Sequence, residues 1–268
     1  WNGLMAAAMA IGGRVMNSDI YTAAAENSIR FIFSKLAGNG GRLLARYRDG
    51  EAAHYGYIDD YAFVIWALIE LYQSTYKPYY LEKALELCDS QINLFRDDEH
   101  GGFFLYGSDA EQLITRPKDA YDGAIPSGNS VSALNFLRLA RLTGRHELEE
   151  KAVEIFRAFG TSVQNAPAGH AFMLSAFLYY LAPSEEVIVV SDKAGSSDEA
   201  MLGILKQGFK PFTVSLYCSG MHKDLAGIAP FVSGYKPIDG KATAYICRSF
   251  TCKAPITDPD EFRKALLH

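Results

Sequence analysis

Apolar residues recur at helical spacing through the first two thirds of the chain, in paired segments. Spacings of three and four residues place such side chains on one face of a helix. The pattern predicts three pairs of helices and one further helix, over residues 1–16, 19–37, 58–75, 78–95, 127–143, 145–160 and 167–181. The first helix of each pair is small and apolar, whereas the second carries more charge. This difference indicates an inner and an outer layer of helices.

Glycine-led segments follow the first two helix pairs. The segment "GNGGRLLARYRDGEA" predicts a short strand, a turn at Asp49-Gly50 and a returning strand. The segment "EHGGFFLYGSDAE" begins at the corresponding place after the second pair and predicts another strand. The order of helix, helix and hairpin therefore forms an internal repeat of about 60 to 70 residues.

A unit of two helices cannot bury both faces of its helices alone, so copies of the unit must stack on one another. The stack can stay open as an α-solenoid, or it can close as an (α/α)6 toroid whose first helices line the inside. The apolar first helices favour the toroid. We therefore predict a mainly α fold, with about seven helices of a partial (α/α)6 toroid and short β-hairpins over residues 1–182.

The character of the sequence changes after Pro183. The segment "EEVIVVSD" is a continuous run rich in Val, typical of a buried strand. A helix over 196–207 and the strand "FTVSLY" complete a βαβ unit, and "ATAYICRSF" offers a third strand. A closing helix follows Asp258, whose side chain suits an N-cap. We predict a small α/β segment over residues 183–268.

Composition and charge limit the classes of partner. The net charge is −5, and no run of Lys or Arg exceeds two, so no nucleic acid is expected. No stretch approaches the ~20 apolar residues of a membrane span, so no membrane contact is expected. Four cysteines do not make a disulfide framework, and we expect a cytoplasmic protein. Because the chain starts at Trp1 within a helical pattern, we expect its partner to be a missing N-terminal half or a second copy.

Four stretches, "WNGLMAAAMA", "YIDDYAF", "DGAIPSGNS" and "YICRSFTCKAP", resemble the spermatogenesis-associated protein 20 family. Bacterial members of that family look like proteins with an N-terminal thioredoxin-like domain, which is followed by a six-hairpin toroid similar to N-acylglucosamine 2-epimerase. The resemblance covers essentially the whole chain and implies the C-terminal part of such a protein. The thioredoxin-like domain and its cysteine motif have no match here, so the resemblance carries over no redox role.

Carboxylates stand before two of the predicted inner helices. Asp59 and Asp60 lie at the start of the helix over 58–75, where capping needs one carboxylate and leaves the other free. Asp119 and Asp122 precede the helix over 127–143, which has other capping residues. Loops that meet at one rim of a ring form a pocket, and carboxylates with aromatic rings suit a sugar. The predicted ligand contacts are Trp1, Asn2, Tyr57, Asp59, Tyr61, Asp119, Tyr121, Ser127 and Asn129.

Two chemistries suit such a rim. Asp60 and Asp122, placed across a pocket, can serve as acid and base for glycoside cleavage. Epimerisation beside a carbonyl instead needs a base on one face and an acid on the other, for which His54 and His170 are the candidates. A surface or capping role is the simpler interpretation of each histidine.

The cysteines leave several alternatives open. Cys247 and Cys252 form a C-x4-C pair, which suits a structural thiol pair, a redox-active pair or, together with Cys218 and His222, a zinc site. Zinc is the weakest of these because a clear fourth ligand is missing, so we predict no metal. Cys88 lies in a helical pattern and is predicted to be a buried apolar residue.

The sequence thus supports two hypotheses of function. The first is a carbohydrate-active or sugar-epimerase-like toroid that binds a small sugar or amino sugar and needs no cofactor. The second is a non-catalytic binding or scaffold module, attached to a thioredoxin-like domain in the full-length protein.

Overall fold

The structure is a computed structural model of the chain and describes residues 1–111, 114–192, 195–220, 223–248 and 251–266. Within these ranges, seven α-helices precede residue 182: α1 (Asn2–Val15), α2 (Asp19–Lys35), α3 (Ile58–Thr75), α4 (Pro78–Phe95), α5 (Gly128–Thr143), α6 (His146–Asn165) and α7 (Ala171–Leu181). Their order confirms the predicted helix pairs. Asp19 is the first residue of α2 rather than its N-cap, because Ser18 holds the extended backbone that precedes the helix.

The helices form two layers. Helices α1, α3, α5 and α7 lie side by side in one row, and α2, α4 and α6 each pack on the preceding helix of that row. Helix α3 is buried along most of its length, as an apolar helix between neighbours on several sides must be. The arrangement is that of a partial (α/α)6 toroid, with α1, α3, α5 and α7 as the inner helices, and it confirms the predicted fold class.

Glycine lets the inner helices approach each other closely at two points. A Cβ atom at Gly3 of α1 would lie 2.7 Å from the backbone carbonyl carbon of Phe63 in α3. A Cβ atom at Gly128 of α5 would lie 2.4 Å from Asp59 Oδ1 and 3.0 Å from the Asp59 backbone nitrogen. A larger residue at either position would force the helices apart. The close packing therefore brings the N-terminal ends of α3 and α5 together.

The predicted β-hairpin is present between α2 and α3. Strands β1 (Leu44–Arg48) and β2 (Glu51–Tyr55) pair antiparallel. The turn residues Asp49 and Gly50 have φ values of 53° and 86°. Positive φ at both central positions is what a two-residue turn of this hand requires, and an Asp-Gly pair supplies it readily. The hairpin prediction is therefore confirmed.

The second glycine-led strand, predicted after α4, is wrong. Gly101 and Gly102 both have positive φ, 70° and 71°, which turns the chain out of an extended path. Only an isolated bridge between Arg96 and Phe103 forms there. The Asn129 side chain accepts from Phe103 N at 2.9 Å and donates to Phe103 O at 2.9 Å. A side chain thus takes the place of a pairing strand.

The rest of the chain builds a four-stranded sheet with the order β4-β3-β5-β6. Its elements are β3 (Glu185–Ser191), α8 (Ser196–Lys206), β4 (Thr213–Ser219), α9 (Lys223–Ile228), β5 (Thr243–Arg248), β6 (Thr251–Cys252) and the closing helix α10 (Pro259–Ala265). Strand β3 pairs parallel with β4 and antiparallel with β5, so the βαβ unit is confirmed. Asp258 caps α10 as predicted, accepting from the Asp260 and Glu261 amides.

Buried hydrogen bonds join the sheet to the inner helices. Gln73 Nε2 in α3 donates to Ser215 O in β4 at 2.7 Å, and Ser215 N donates to Gln73 Oε1 at 3.1 Å. The Tyr76 hydroxyl lies 2.8 Å from Ser215 Oγ. Apolar side chains from both parts belong to one continuous core. The predicted division into residues 1–182 and 183–268 therefore stays a prediction.

Apolar side chains are exposed at both ends of the helical row. Those on α1 and α2 include Met5, Val15, Ile20 and Phe31, and those on α7 include Leu174, Phe177, Leu178 and Leu181. In the part of the chain that the structure describes, no helix combines the length and apolar character needed to cross a membrane. The expected cytoplasmic location stays a prediction.

Candidate functional site

The first predicted carboxylates lie at the N-terminal end of α3. Asp60 Oδ2 accepts the Tyr57 backbone amide at 2.8 Å, which makes Asp60 part of a capping box. Burial raises the pKa of Asp60, while this hydrogen bond and the Arg42 charge oppose the rise. Asp60 also lines a cavity of about 190 Å³ together with Trp1 and Asn2. Of the predicted ligand contacts, Trp1 and Asn2 are therefore beside Asp60.

Asp59 faces the neighbouring inner helix. Its carboxylate accepts the backbone amide of Gly128 at the start of α5. Burial raises the pKa of Asp59, the Gly128 bond opposes the rise, and the charges of Asp60 and Asp119 add to it. The structure thus brings Asp59, Asp60 and Asp119 close enough for their charges to interact.

Asp122 is held by backbone amides of three residues. Its Oδ1 accepts Ser127 N at 2.9 Å, and its Oδ2 accepts Phe172 N at 2.8 Å and Met173 N at 3.0 Å. The last two amides belong to the first turn of α7, so Asp122 satisfies that helix end. Asp119 Oδ1 accepts the Tyr121 amide at 2.8 Å in a local turn. Both aspartates therefore have a structural function.

Ser127 and Asn129 are also occupied within the fold. Ser127 is the N-cap of α5, accepting from Ser130 N at 3.1 Å. Asn129 is 1% exposed and bonds to the Phe103 backbone and to Asp119 O. These two residues position the rim loop.

The predicted aromatic contacts divide into exposed and buried residues. Tyr57 and Tyr121 are exposed, as is Trp1. Tyr61 is 0% exposed, and its hydroxyl accepts from Leu43 N at 3.0 Å and from Arg42 at 3.2 Å. Because its surface is wholly covered, we leave Tyr61 out of the proposed site.

The two histidines lie in different surroundings. His170 is buried, and its Nδ1 lies 2.8 Å from Ala166 O. A carbonyl only accepts, so Nδ1 is the donor in this hydrogen bond. His54 is exposed on β2 and lines a separate cavity with Arg42 and Tyr57. The two histidines of the predicted epimerisation pair therefore differ in burial, and the pair stays a prediction.

A charged cluster that is absent from the predicted site lies deeper in the inner row. Glu70 of α3 is 4% exposed and receives Arg14 Nη2 from α1 at 2.9 Å and Arg138 Nη1 from α5 at 2.5 Å. Trp66 Nε1 donates to Glu70 Oε1 at 3.1 Å. Burial tends to raise the pKa of Glu70, but the charges and hydrogen bonds of Arg138 and Arg14 lower it to about 2.

The cluster borders a cavity of about 330 Å³ between the inner helices and the sheet. Besides Arg14, Trp66, Glu70 and Arg138, its lining includes Lys206, Lys210, Phe209, Gln73 and Ser215. Four basic side chains against one carboxylate give this lining a formal charge of +3 (4 − 1). Such a cavity attracts an anionic ligand. Glu70 lies eleven positions after Asp59, about 16 Å along the helix axis, so this cavity is distant from the rim.

One signal for this site is visible in the sequence. Glu70 interrupts the apolar run "FVIWALIELY", where a charged residue on a buried helix needs a partner. Its partners Arg14 and Arg138 lie 56 and 68 positions away, on other helices. The sequence can therefore flag Glu70 but cannot identify its partners.

The cysteine alternatives are reduced by the geometry. The Sγ atoms of Cys247 and Cys252 are joined in a disulfide of 2.02 Å. No group of three metal-binding side chains occurs among residues that the structure describes, and His222 lies outside them. Cys88 is 0% exposed, and burial raises the pKa of its thiol, which confirms it as a core residue.

Comparisons with known proteins confirm the resemblance. The chain is 34% identical over 281 residues to spermatogenesis-associated protein 20 of Homo sapiens and 33% identical over 285 residues to that of Rattus norvegicus. The protein of Mus musculus is 32% identical over 285 residues. Each alignment covers 100% of this chain and 35% of the relative, so the chain spans about a third of their length. No protein-family model matches the chain.

Proposed function

Because this chain belongs to the spermatogenesis-associated protein 20 family and spans about a third of the length of its relatives, we propose that it forms the ligand-binding portion of the larger toroid. The ligand is a sugar or sugar-like molecule that carries a carboxylate or a phosphate. The observation that carries this proposal is the cavity lined by Arg14, Trp66, Glu70 and Arg138.

The charges of the cavity select the class of ligand. Glu70 neutralises only part of the charge of Arg14 and Arg138, and Lys206 adds to the excess. Guanidinium groups bind carboxylate and phosphate through paired N–H donors, which favours these anions over a neutral molecule. A cationic amino sugar is disfavoured for the same reason. The proposal therefore narrows the sugar or amino sugar expected from the sequence to an anionic sugar.

The aromatic lining supports a sugar-like body. Trp66 is half-buried and lines the cavity, with its ring edge against Phe172 at a centroid distance of 5.2 Å. Its indole N–H is fixed by Glu70, so the ring has one orientation. A fixed ring with an apolar face and polar neighbours suits the mixed surface of a sugar.

A non-catalytic module is the second candidate, favoured by the bonding of the rim. Asp122 accepts three backbone amides, and Asp60 accepts one within its own helix turn. Carboxylates used in this way stabilise helix ends without any chemistry. Glycoside cleavage by Asp60 and Asp122, and epimerisation by His54 and His170, stay predictions.

Binding can be measured through Trp66 itself, since the chain contains only two tryptophans. In a Trp1→Phe variant, we expect glucose 6-phosphate and glucuronate to change the Trp66 fluorescence at concentrations where glucose and N-acetylglucosamine do not. Inorganic phosphate is expected to compete. Lys206→Gln should weaken the binding of glucose 6-phosphate about fivefold, the factor of one partly exposed charge contact of about 1 kcal/mol.

Lys264→Gln is the matched control, because Lys264 is exposed on α10 and lies outside the cavity. It should leave the binding of glucose 6-phosphate unchanged. Equal responses to neutral and anionic sugars would refute the anion preference. The absence of any response, with the variants folded by circular dichroism, would favour the scaffold module.

The exposed apolar ends of the helical row support a further part of the proposal, which concerns partners. The relatives are nearly three times as long as this chain, and we propose that further toroid helices of the longer protein cover α1, α2 and α7. Contiguous apolar surface is rare on monomers.

The 268-residue chain alone should therefore self-associate at micromolar concentration in light scattering. Leu178 is exposed on α7, and Leu178→Lys should shift the chain towards the monomer. A wild-type chain that is already monomeric in light scattering would contradict the proposed covering of these helices.

A further inference from the structure

The disulfide at the edge of the sheet joins one buried and one exposed cysteine. Cys247 of β5 and Cys252 of β6 are directly opposite each other in the antiparallel pair. Cys247 is 4% exposed, whereas Cys252 lies in an exposed two-residue strand. An incoming group can therefore reach Cys252 more easily than Cys247.

The same two cysteines line a cavity of about 290 Å³, which is separate from the cavity at Glu70. It lies between the sheet, the turn that joins α5 to α6, and the 3₁₀ segment Pro230–Gly234. Its polar lining consists of Arg141, His146, Glu149, Glu186 and Tyr235. The disulfide is thus placed at a space large enough for a small molecule or a peptide side chain.

A hydroxyl group stands beside both sulfur atoms. Tyr235 Oη lies 3.4 Å from Cys252 Sγ and 3.6 Å from Cys247 Sγ. Burial raises the pKa of Tyr235, and the charge of Glu186 raises it further, so the phenol keeps its proton at neutral pH. A protonated hydroxyl at this distance can donate to a thiolate as it forms.

We propose that Cys247 and Cys252 form a thiol–disulfide exchange site that reacts with a thiol or dithiol entering this cavity. The thiolate of the incoming molecule attacks Cys252 Sγ and forms a mixed disulfide with it. The Cys247–Cys252 bond breaks, and its electron pair goes to Cys247 Sγ, which receives the Tyr235 hydrogen bond and then a proton from solvent. A second thiolate attacks the sulfur of the incoming molecule and releases Cys252.

The reaction is balanced without any further reagent. Two thiol groups are oxidised to one disulfide, and the protein disulfide is reduced to two thiols, with the two thiol protons ending on Cys247 and Cys252. Exchange is favoured when the attacked sulfur is exposed, as at Cys252, and when the leaving thiolate is stabilised, as at Cys247. The proposal is independent of sugar binding, because none of these residues lines the cavity at Glu70.

The first test is the reduction of the folded chain by dithiothreitol at neutral pH. Thiols are tagged with a maleimide after acid quenching, and the peptide that contains residues 247–252 is identified by mass spectrometry. We expect this peptide to gain two tags while circular dichroism stays that of the folded protein. A disulfide that opens only after a denaturant is added would overturn the proposal and leave a structural cross-link.

Variants then test the roles of the two sulfurs and the hydroxyl. Cys252 in a Cys247→Ser variant should form a mixed disulfide with oxidised glutathione about tenfold faster than Cys247 does in a Cys252→Ser variant. Tyr235→Phe should slow reduction by dithiothreitol about fivefold, the factor of one lost hydrogen bond. Cys218→Ser is the matched control and should leave the reduction rate unchanged. Equal reactivity of Cys247 and Cys252 would refute the assigned direction.

Discussion

Glu70→Ala is expected to lower the free energy of unfolding by about 3 to 5 kcal/mol at pH 7, the range for removing one partner of a buried ion pair. Arg14 and Arg138 are 20% and 12% exposed, and both would lose the carboxylate that compensates them. Their two like charges would then face each other across α3. The indole N–H of Trp66 would also lose its acceptor. Urea denaturation of wild type and variant measures the difference.

Two further variants separate the charge of Glu70 from its size and from surface pairing. Glu70→Gln keeps the volume and one acceptor, so we expect a smaller loss than for alanine. Glu86→Ala removes a carboxylate that is 54% exposed and pairs with Lys83 on the same helix, and it should change stability by less than about 1 kcal/mol. A Glu70→Ala variant no less stable than Glu86→Ala would show that the buried cluster does not stabilise the fold.

The stability that Glu70 provides should be lost in acid. Its pKa falls from 4.5 to about 2 in the folded chain, which corresponds to about 3 kcal/mol. A carboxyl with a lowered folded pKa stabilises the fold above the unfolded pKa of 4.5, and this contribution disappears as the pH falls towards 2. The free energy of unfolding of wild type should exceed that of Glu70→Gln at pH 6, and we expect this difference to shrink by about 2 kcal/mol between pH 6 and pH 3.

The comparison with Glu70→Gln is needed because other carboxyls titrate in the same range. Asp97, paired with Lys118 at 2.6 Å, also has a lowered pKa and acts with the same sign. Asp59 and Asp60 have raised pKa values because of burial, so their protonation relieves a penalty and acts with the opposite sign. These contributions cancel in the difference between wild type and variant. A difference in free energy of unfolding between wild type and Glu70→Gln that stays constant from pH 6 to pH 3 would contradict the lowered pKa of Glu70.

The helices were predictable because their signals are local. One helix pair is predicted by the apolar repeat in "YAFVIWALIELY" and by Pro78 at the first turn of α4. The structure has these two helices at Ile58–Thr75 and Pro78–Phe95. The Val-rich run of β3 and the Asp-Gly turn of the hairpin are equally local. The strand predicted after Gly102 failed because Asn129, 26 residues away, binds the Phe103 backbone in place of a strand.

The candidate site depended on distant contacts, which spacing does not encode. Asp122 was expected to face a pocket, but it lies against the first turn of α7, 50 positions later in the chain. Asp59, Asp60 and Asp119 lie close enough for their charges to interact, because helix ends that alternate in direction must return to the same side. Which carboxylates remain free there is decided by backbone amides such as that of Gly128. Local spacing likewise does not mark Arg14 and Arg138 as the partners of Glu70.

The bond between Gln73 and Ser215 has a consequence for how the polypeptide folds as it is synthesised. The two residues are 142 positions apart, so α3 leaves the ribosome long before β4 exists. Until then the Gln73 amide lies without its partner beside apolar surface that the sheet later covers. The early helices must therefore persist in an incomplete state, and their final consolidation waits for the end of translation.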